Sequence, residues 1–176
     1  TPPLRIRASR LPADDRPADR VVRLPHGCSY LHRAAARNPA EPNSVVEVYC
    51  QIGPADDPRA RAALDLAAAA AHEPAYNQLR TVEQLGYAVH AGARCTHGVL
   101  GYAVTVVSGE HGPAHLDARV EAWLAGFAGR LADLPAAEFE AHRAALAASK
   151  AQADRALAEE ADRHWEAVGG RRYEFL

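Results

Sequence analysis

An arginine and a tyrosine seven residues apart, Arg80 and Tyr87, are the side chains of this 176-residue chain best suited to chemistry on a bound partner. They lie in the stretch from Asn77 to Val89, which is predicted to contain the end of a helix, a Leu-Gly connection and the start of a strand. At such a joint a rigid scaffold can aim polar groups into a cleft. A guanidinium and a phenol can donate hydrogen bonds to a peptide carbonyl and stabilise a developing oxyanion without transferring the proton themselves.

A purely structural interpretation of this pair is also open. Arg80 would then complement the negative end of its own helix dipole, and Tyr87 would be a half-buried aromatic side chain on a strand. Residue types alone favour this interpretation, and they do not decide between the two.

The nine histidines raise the question of a metal site, but their spacing argues against one. Zinc peptidases place two His and a Glu on one helical face as H-E-x-x-H or H-x-x-E-H, and neither string occurs. His111 and His115 are four apart, but the Gly-Pro dipeptide between them disfavours a helical pair. His142 and His164 stand alone on predicted helices. We therefore assign no metal ligand in this chain and, since it has no G-x-S-x-G elbow either, no catalytic residue.

The composition argues against several classes of protein and partner. A net charge of -2 argues against nucleic acid or an anionic membrane as the main partner, and no apolar run approaches the ~20 residues that cross a bilayer. The start of the chain does not read as a signal peptide. Three widely spaced cysteines, Cys28, Cys50 and Cys95, are expected to be buried or half-buried free thiols. A cytoplasmic location follows as an expectation.

The periodicity of apolar residues predicts an α+β fold, a largely antiparallel sheet with helices packed on one face. Residues 1–19 read as a linker or tail. Strands are expected at 21–24 and 28–32, which would form a hairpin, and at 44–52, 87–93 and 98–108. Helices are expected from 58 to 73, where Pro74 should end the first, and then at 75–84, 113–131, 135–154 and 157–168.

Apolar side chains recur at helical spacing in the last three helices, and we expect all three stripes to be packing surfaces. In the last helix this stripe comprises Leu157, Ala161, Trp165 and Val168.

The segment L-R-T-x-E-Q-L-G-Y, from Leu79 to Tyr87, resembles the signature of the last domain in the insulysin/nardilysin branch of the pitrilysin-type zinc metallopeptidases. The similarity covers about residues 20 to 175, in order and without large gaps. It includes L-P-x-G-C-S-Y from Leu24, the E-V-Y-C-Q strand, H-E-P-A-Y-N-Q-L from His72 and R-V-E-A-W-L from Arg119.

The resemblance implies a shared active site. In that family two halves, each of two similar α+β domains, close around a peptide, and the first domain carries the zinc, its ligands and the general base. The last domain contributes an Arg and a Tyr that hydrogen-bond the substrate, and these positions match Arg80 and Tyr87. Residues 20–176 would then be a truncated last domain in the non-zinc half, with zinc a cofactor of the full-length enzyme and the zinc-bearing N-terminal half of the same polypeptide a partner.

Two further expectations follow from this resemblance. The chain lacks the H-x-x-E-H motif and begins without Met, so we expect it to be a piece of a longer metalloendopeptidase that is inactive alone. A truncated sheet would expose an unpaired edge, and such an edge can pair with a second copy of the chain to form a homo-oligomer. The alternative is a catalytically dead peptide-binding or scaffolding module, and an H-x-x-E-H upstream in the parent chain would argue against it.

Overall fold

The computed structural model describes residues 21 to 169 and Phe175. The predicted linker at 1–19 lies outside the described residues.

The fold is α+β and is built on a three-stranded antiparallel sheet, as the sequence predicts. In chain order the elements are β1 (Ser44–Pro54), α1 (Pro58–Ala75), a π-helical segment (Tyr76–Val82), β2 (Ala88–Thr96), β3 (Val99–Ser108), α2 (Pro113–Ala132), α3 (Ala136–Lys150) and α4 (Leu157–Gly169).

The strand β3 lies at the centre of the sheet, in the order β1-β3-β2. The strands β2 and β3 form a tight hairpin whose turn residues, His97 and Gly98, have φ of 46° and 79°. Two successive residues with positive φ match the right-handed twist of the flanking strands. The resulting register places Ala88, the first residue of β2, opposite Val107. Tyr87 therefore enters the sheet directly beside the end of β3.

The core fills the space between one face of this sheet and three helical elements, α1, the π-helical segment and α2. Alternate residues of β3, Val104 and Val106, are fully buried, and so are Leu116 and Val120, which are four apart on α2. Residues two apart lie on the same face of a strand and residues four apart on the same face of a helix, and these two faces, one of β3 and one of α2, pack into one cluster. The cluster also includes Leu79, which anchors the π-helical segment in the core.

The predicted hairpin at 21–32 is wrong, because neither Val21–Leu24 nor Cys28–His32 is a strand. The turn between them is present, with Gly27 at φ 75°. The backbone on its N-terminal side bonds to a side chain instead of to a strand: the Gln51 amide accepts from the Leu24 N–H at 2.9 Å and donates to the Val22 carbonyl at 3.0 Å. One side chain thus satisfies two main-chain groups that a ladder would otherwise pair.

The first helix does not end at Pro74, contrary to the prediction. It begins where expected, with the Asp57 carboxylate accepting from the Arg59 N–H at 2.9 Å, but it continues through Pro74 to Ala75 and passes directly into the π-helical segment. Proline removes one backbone donor from a helix interior. The complete burial of Ala75 and Leu79 offsets that loss, since both belong to the core.

The apolar stripes of the last two helices are not buried in the core. Among the described residues α3 has no buried side chain and α4 has one, Ala167. Leu157 and Trp165 are 80% and 75% exposed. The helix α3 lies against α1, where Lys150 Nζ is 2.7 Å from Asp65 Oδ2. Helical periodicity therefore predicted that α3 and α4 form, but it did not predict which surfaces their apolar side chains contact.

Two remaining expectations concern thiols and membranes. The three cysteines are free, as expected, but all are exposed, so the prediction of buried or half-buried thiols is wrong. Among the described helices, none combines the length and apolar character needed to cross a bilayer.

Candidate functional site

Arg80 and Tyr87 flank the turn between the π-helical segment and β2: Arg80 lies in the last turn of that segment, and Tyr87 directly precedes β2. The anchors of this turn are Leu79 and Leu85, both buried in the core. The Leu85 N–H donates to the Leu79 carbonyl at 3.0 Å, so the backbone folds back on itself between the two leucines. The positions of residues 80 and 87 therefore follow from two side chains buried next to them.

The Gln-Leu-Gly sequence makes this turn geometrically possible. Gln84 has a φ of 51°, in the left-handed region that non-glycine residues rarely occupy. Gly86 lies so close to β3 that a Cβ atom there would be 2.1 Å from the Val107 carbonyl oxygen. The same oxygen accepts a hydrogen bond from the Tyr87 N–H at 3.1 Å. The absence of a side chain at residue 86 thus lets the backbone of Tyr87 bond to β3.

Glu83 connects the turn to α2. Its carboxylate accepts from Arg119 Nε at 2.6 Å, from Arg119 Nη2 at 2.8 Å and from Gln78 Nε2 at 2.7 Å. The Arg119 hydrogen bonds are the main reason that the pKa of Glu83 lies below its ordinary value; burial opposes this shift, and Gln78 and the nearby His115 support it. The carboxylate is therefore ionised at neutral pH and joins two segments 36 residues apart.

Arg80 and Tyr87 keep their donors available. Arg80 is half-buried in the last turn of the π-helical segment, where it also meets the negative end of the helix dipole. Tyr87 is 62% exposed, more than a half-buried strand aromatic would be. Within the described part of the chain, neither side chain has a hydrogen-bond or ion-pair partner. Since π-helical turns are frequent at functional sites, a guanidinium without a partner in such a turn is well placed to donate hydrogen bonds to a ligand.

The histidines do not form a metal centre in the described part of the chain, where no group of three or more His, Cys, Asp or Glu could hold an ion. His111 precedes α2 and His115 lies in its first turn, with ring centroids 4.9 Å apart. His142 and His164 lie on α3 and α4. His164 packs edge-on against Phe175, with centroids 5.6 Å apart.

Sequence reasoning missed Glu83, Arg119 and Gln78 as parts of this site. Their letters stand inside the matched segments, Glu83 in E-Q-L-G-Y and Arg119 in R-V-E-A-W-L. No spacing rule pairs residues on a turn and on a later helix, so only the folded chain reveals the contact.

A separate open cavity of about 360 Å³ lies on the sheet and does not include Arg80 or Tyr87. It is lined by Glu47, His72, His90 and Arg94 among others. Two of these are paired with each other, since Arg94 Nη1 is 2.7 Å from Glu47 Oε1. This cavity and the turn that carries Arg80 and Tyr87 are therefore different places on the described part of the chain.

The chain is similar in sequence to known proteins over most of its length. Residues 66–165 match the protein family described as PQQ synthase PqqF-like, C-terminal lobe domain 4. The chain is 36% identical over 167 residues to a nardilysin-like protein of Arabidopsis thaliana, covering 94% of this chain and 16% of that protein. It is 33% identical over 150 residues to the Arabidopsis protein named insulin-degrading enzyme-like 1, peroxisomal, covering 85% of this chain and 15% of that protein.

A solved structure shows the same fold. The crystal structure of pitrilysin superposes with a TM-score of 0.62 at 23% sequence identity, covering 75% of this chain and 14% of that one. The chain thus spans about one-sixth of the length of its curated relatives, which are 15% and 16% covered.

Proposed function

The chain belongs to the pitrilysin family, in the part described as the C-terminal lobe domain 4 of PqqF-like proteins, and we propose that it is the substrate-binding C-terminal part of a zinc metalloendopeptidase. Arg80 and Tyr87 are its proposed substrate contacts. The observation that carries this proposal is a rigid turn that presents two donors, neither of them engaged by another described residue.

The two donors have complementary properties. The Tyr87 O–H can donate one hydrogen bond and the Arg80 guanidinium several, with a permanent positive charge. Directed at the carbonyl oxygen of a scissile peptide, both bonds strengthen as negative charge develops on that oxygen. The backbone that carries them is already in place, so little reorganisation is needed when the substrate binds.

The metal is proposed for another part of the polypeptide. The described residues offer no cluster that fits zinc, so we assign no ligand and no metal-dependent step to this chain. We propose the zinc-bearing N-terminal half of the same polypeptide as its partner and a peptide of limited size as substrate. On its own this chain is then expected to bind peptide without hydrolysing it. A cytoplasmic location and a homo-oligomer remain predictions.

The test is turnover of a peptide by the complete polypeptide with Tyr87→Phe, which removes one hydroxyl. Loss of one oxyanion donor should lower kcat by ~10- to 1000-fold. Tyr30→Phe is the matched control, because Tyr30 is similarly exposed, at 66% against 62% for Tyr87, and lies outside the turn. Unchanged turnover in the Tyr87 variant would remove the proposed oxyanion role.

The second candidate is a catalytically dead peptide-binding or scaffolding module. It is favoured by the same observation, since unengaged donors serve binding as well as catalysis. In that case the complete polypeptide would bind peptide, lose affinity with Arg80→Met, and hydrolyse nothing even with zinc added.

A further inference from the structure

The acid in the middle of the turn has an environment that Arg80 and Tyr87 lack. Glu83 is three residues after Arg80 and four before Tyr87, and its side chain is only 14% exposed. Three donors from two elements surround its carboxylate, two on Arg119 and one on Gln78. Its N–H also donates to the Gln78 carbonyl at 2.9 Å, so both main chain and side chain of Glu83 are held.

The partner of Glu83 lies on a helix that is anchored in the core. Arg119 lies on α2 between Leu116 and Val120, which are both fully buried in the core. The two parallel hydrogen bonds from a planar guanidinium restrict rotation as well as distance. Glu83 is thereby connected to a helix that is anchored in the core.

The turn needs such support for its geometry. Gln84, immediately after Glu83, is held in the left-handed region, and this conformation persists only where the surroundings impose it. The buried leucines hold the two ends of the turn against the core, but they are apolar contacts and do not restrict direction strongly. Hydrogen bonds do restrict it: in the backbone the Leu85 N–H bonds to Leu79 and the Tyr87 N–H to Val107. The side-chain bonds of Glu83 add the connection between the turn and α2.

We propose that Glu83 is a positioning residue, which acts through Arg119 to hold the turn so that Arg80 and Tyr87 point at the substrate together. This inference rests on the proposed function. It assigns Glu83 no contact with the substrate and no proton transfer. The lowered pKa of Glu83 agrees with it, because an ionised carboxylate makes the stronger hydrogen bonds to Arg119.

A structural role and a positioning role predict different results for Glu83→Ala. Arg119 is 42% exposed, so water can solvate it after the substitution, and pairs of this exposure stabilise proteins only modestly. We expect a folded variant whose kcat on a peptide falls by roughly 10- to 100-fold, the size of effect produced by slight misplacement of catalytic groups. KM should change little by comparison. The Glu83→Gln variant, which keeps an acceptor for Arg119, should recover part of the loss.

Glu47→Ala is the matched control. It removes another Glu–Arg pair, with Arg94 at 2.7 Å, from the sheet rather than from the turn. We expect its kcat to equal that of the parent protein. An equal loss in both variants would mean that removing any such pair lowers kcat, and would overturn the inference.

The decisive measurement is a double-mutant cycle in the complete polypeptide. If Glu83 acts by aiming Tyr87, then Glu83→Ala should lower kcat/KM much less in the Tyr87→Phe background than in the parent, because residues of one network are not additive. Full additivity, or no effect of Glu83→Ala while Tyr87→Phe is impaired, overturns the positioning role alone. No effect of Tyr87→Phe by itself overturns the proposed function instead.

Discussion

The close approach of Gly86 to β3 leads to the sharpest stability prediction. In Gly86→Ala the new methyl would be 2.1 Å from the Val107 carbonyl oxygen, 2.8 Å from its carbon and 3.3 Å from the Ser108 Cα. All three are backbone atoms of the central strand, so no side chain can rotate away to relieve the clash. The turn must move instead, and the Tyr87 N–H bond to Val107, 3.1 Å long, must lengthen or break.

The cost follows from two contributions. Overpacking costs ~1–3 kcal/mol and a lost backbone hydrogen bond ~0.5–1.5 kcal/mol. Together they lower the free energy of unfolding by about 1.5–4.5 kcal/mol. For a chain of this length each kcal/mol lowers Tm by roughly 2–4 °C. We therefore expect a decrease of about 3–18 °C, measured by circular dichroism during heating and confirmed by urea titration.

Gly126→Ala provides a control with the opposite sign. Gly126 lies inside α2, and nothing is within 4 Å of an added Cβ. Alanine is there expected to stabilise by ~0.5–1 kcal/mol, because it restricts the unfolded chain and favours the helix. A Gly86 variant as stable as the parent protein, or a Gly126 variant destabilised as much as Gly86→Ala, would refute the reasoning from Cβ contacts.

Two further predictions concern buried and exposed titratable groups. Burial, and next the charge of Cys50, raises the pKa of Tyr102 to about 12, so the parent protein should lose stability as pH rises from the ordinary tyrosine value of 10 towards 12. Tyr102→Phe should lack that loss in alkaline denaturation. At neutral pH the variant should be at least as stable as the parent, because the Tyr102 hydroxyl that it removes has no partner among the described residues. A steeper alkaline loss in the variant would contradict this. All three cysteines are exposed and should react with a thiol reagent in the folded state. Cys50 should react more slowly than Cys95, because desolvation of its partly covered thiol, and next the negative charge of Glu121, raise the pKa of Cys50. Equal rates for both would count against that environment.

Much of the fold was predictable because its signals are local. The strands expected at 87–93 and 98–108 lie at Ala88–Thr96 and Val99–Ser108, and α2 follows from apolar residues spaced by one helical turn. The errors arose where local signals competed with distant contacts. Pro74 should end a helix on its own, but the burial of Ala75 and Leu79 carries the helix through it.

The candidate site divides in the same way. The motif from Leu79 to Tyr87 can be read directly from the sequence, and Arg80 and Tyr87 remain predicted substrate contacts. Neither Glu83 nor Gly86 can be interpreted from the sequence alone. Their roles depend on Arg119 and Val107, which lie on later elements.

The sequence by itself determined the α+β class, the positions of most helices and strands, and the family to which the chain belongs. The fold class and the elements depend on residue types and short-range periodicity, and the family follows from motifs that occur in the same order along the chain. Only the tertiary structure decided which apolar stripes are buried, how Gln51 replaces a predicted strand pairing, and that Glu83 joins the turn to α2. The physical reason is that burial and hydrogen-bond geometry are properties of contacts between distant residues, and those contacts form only when the chain folds.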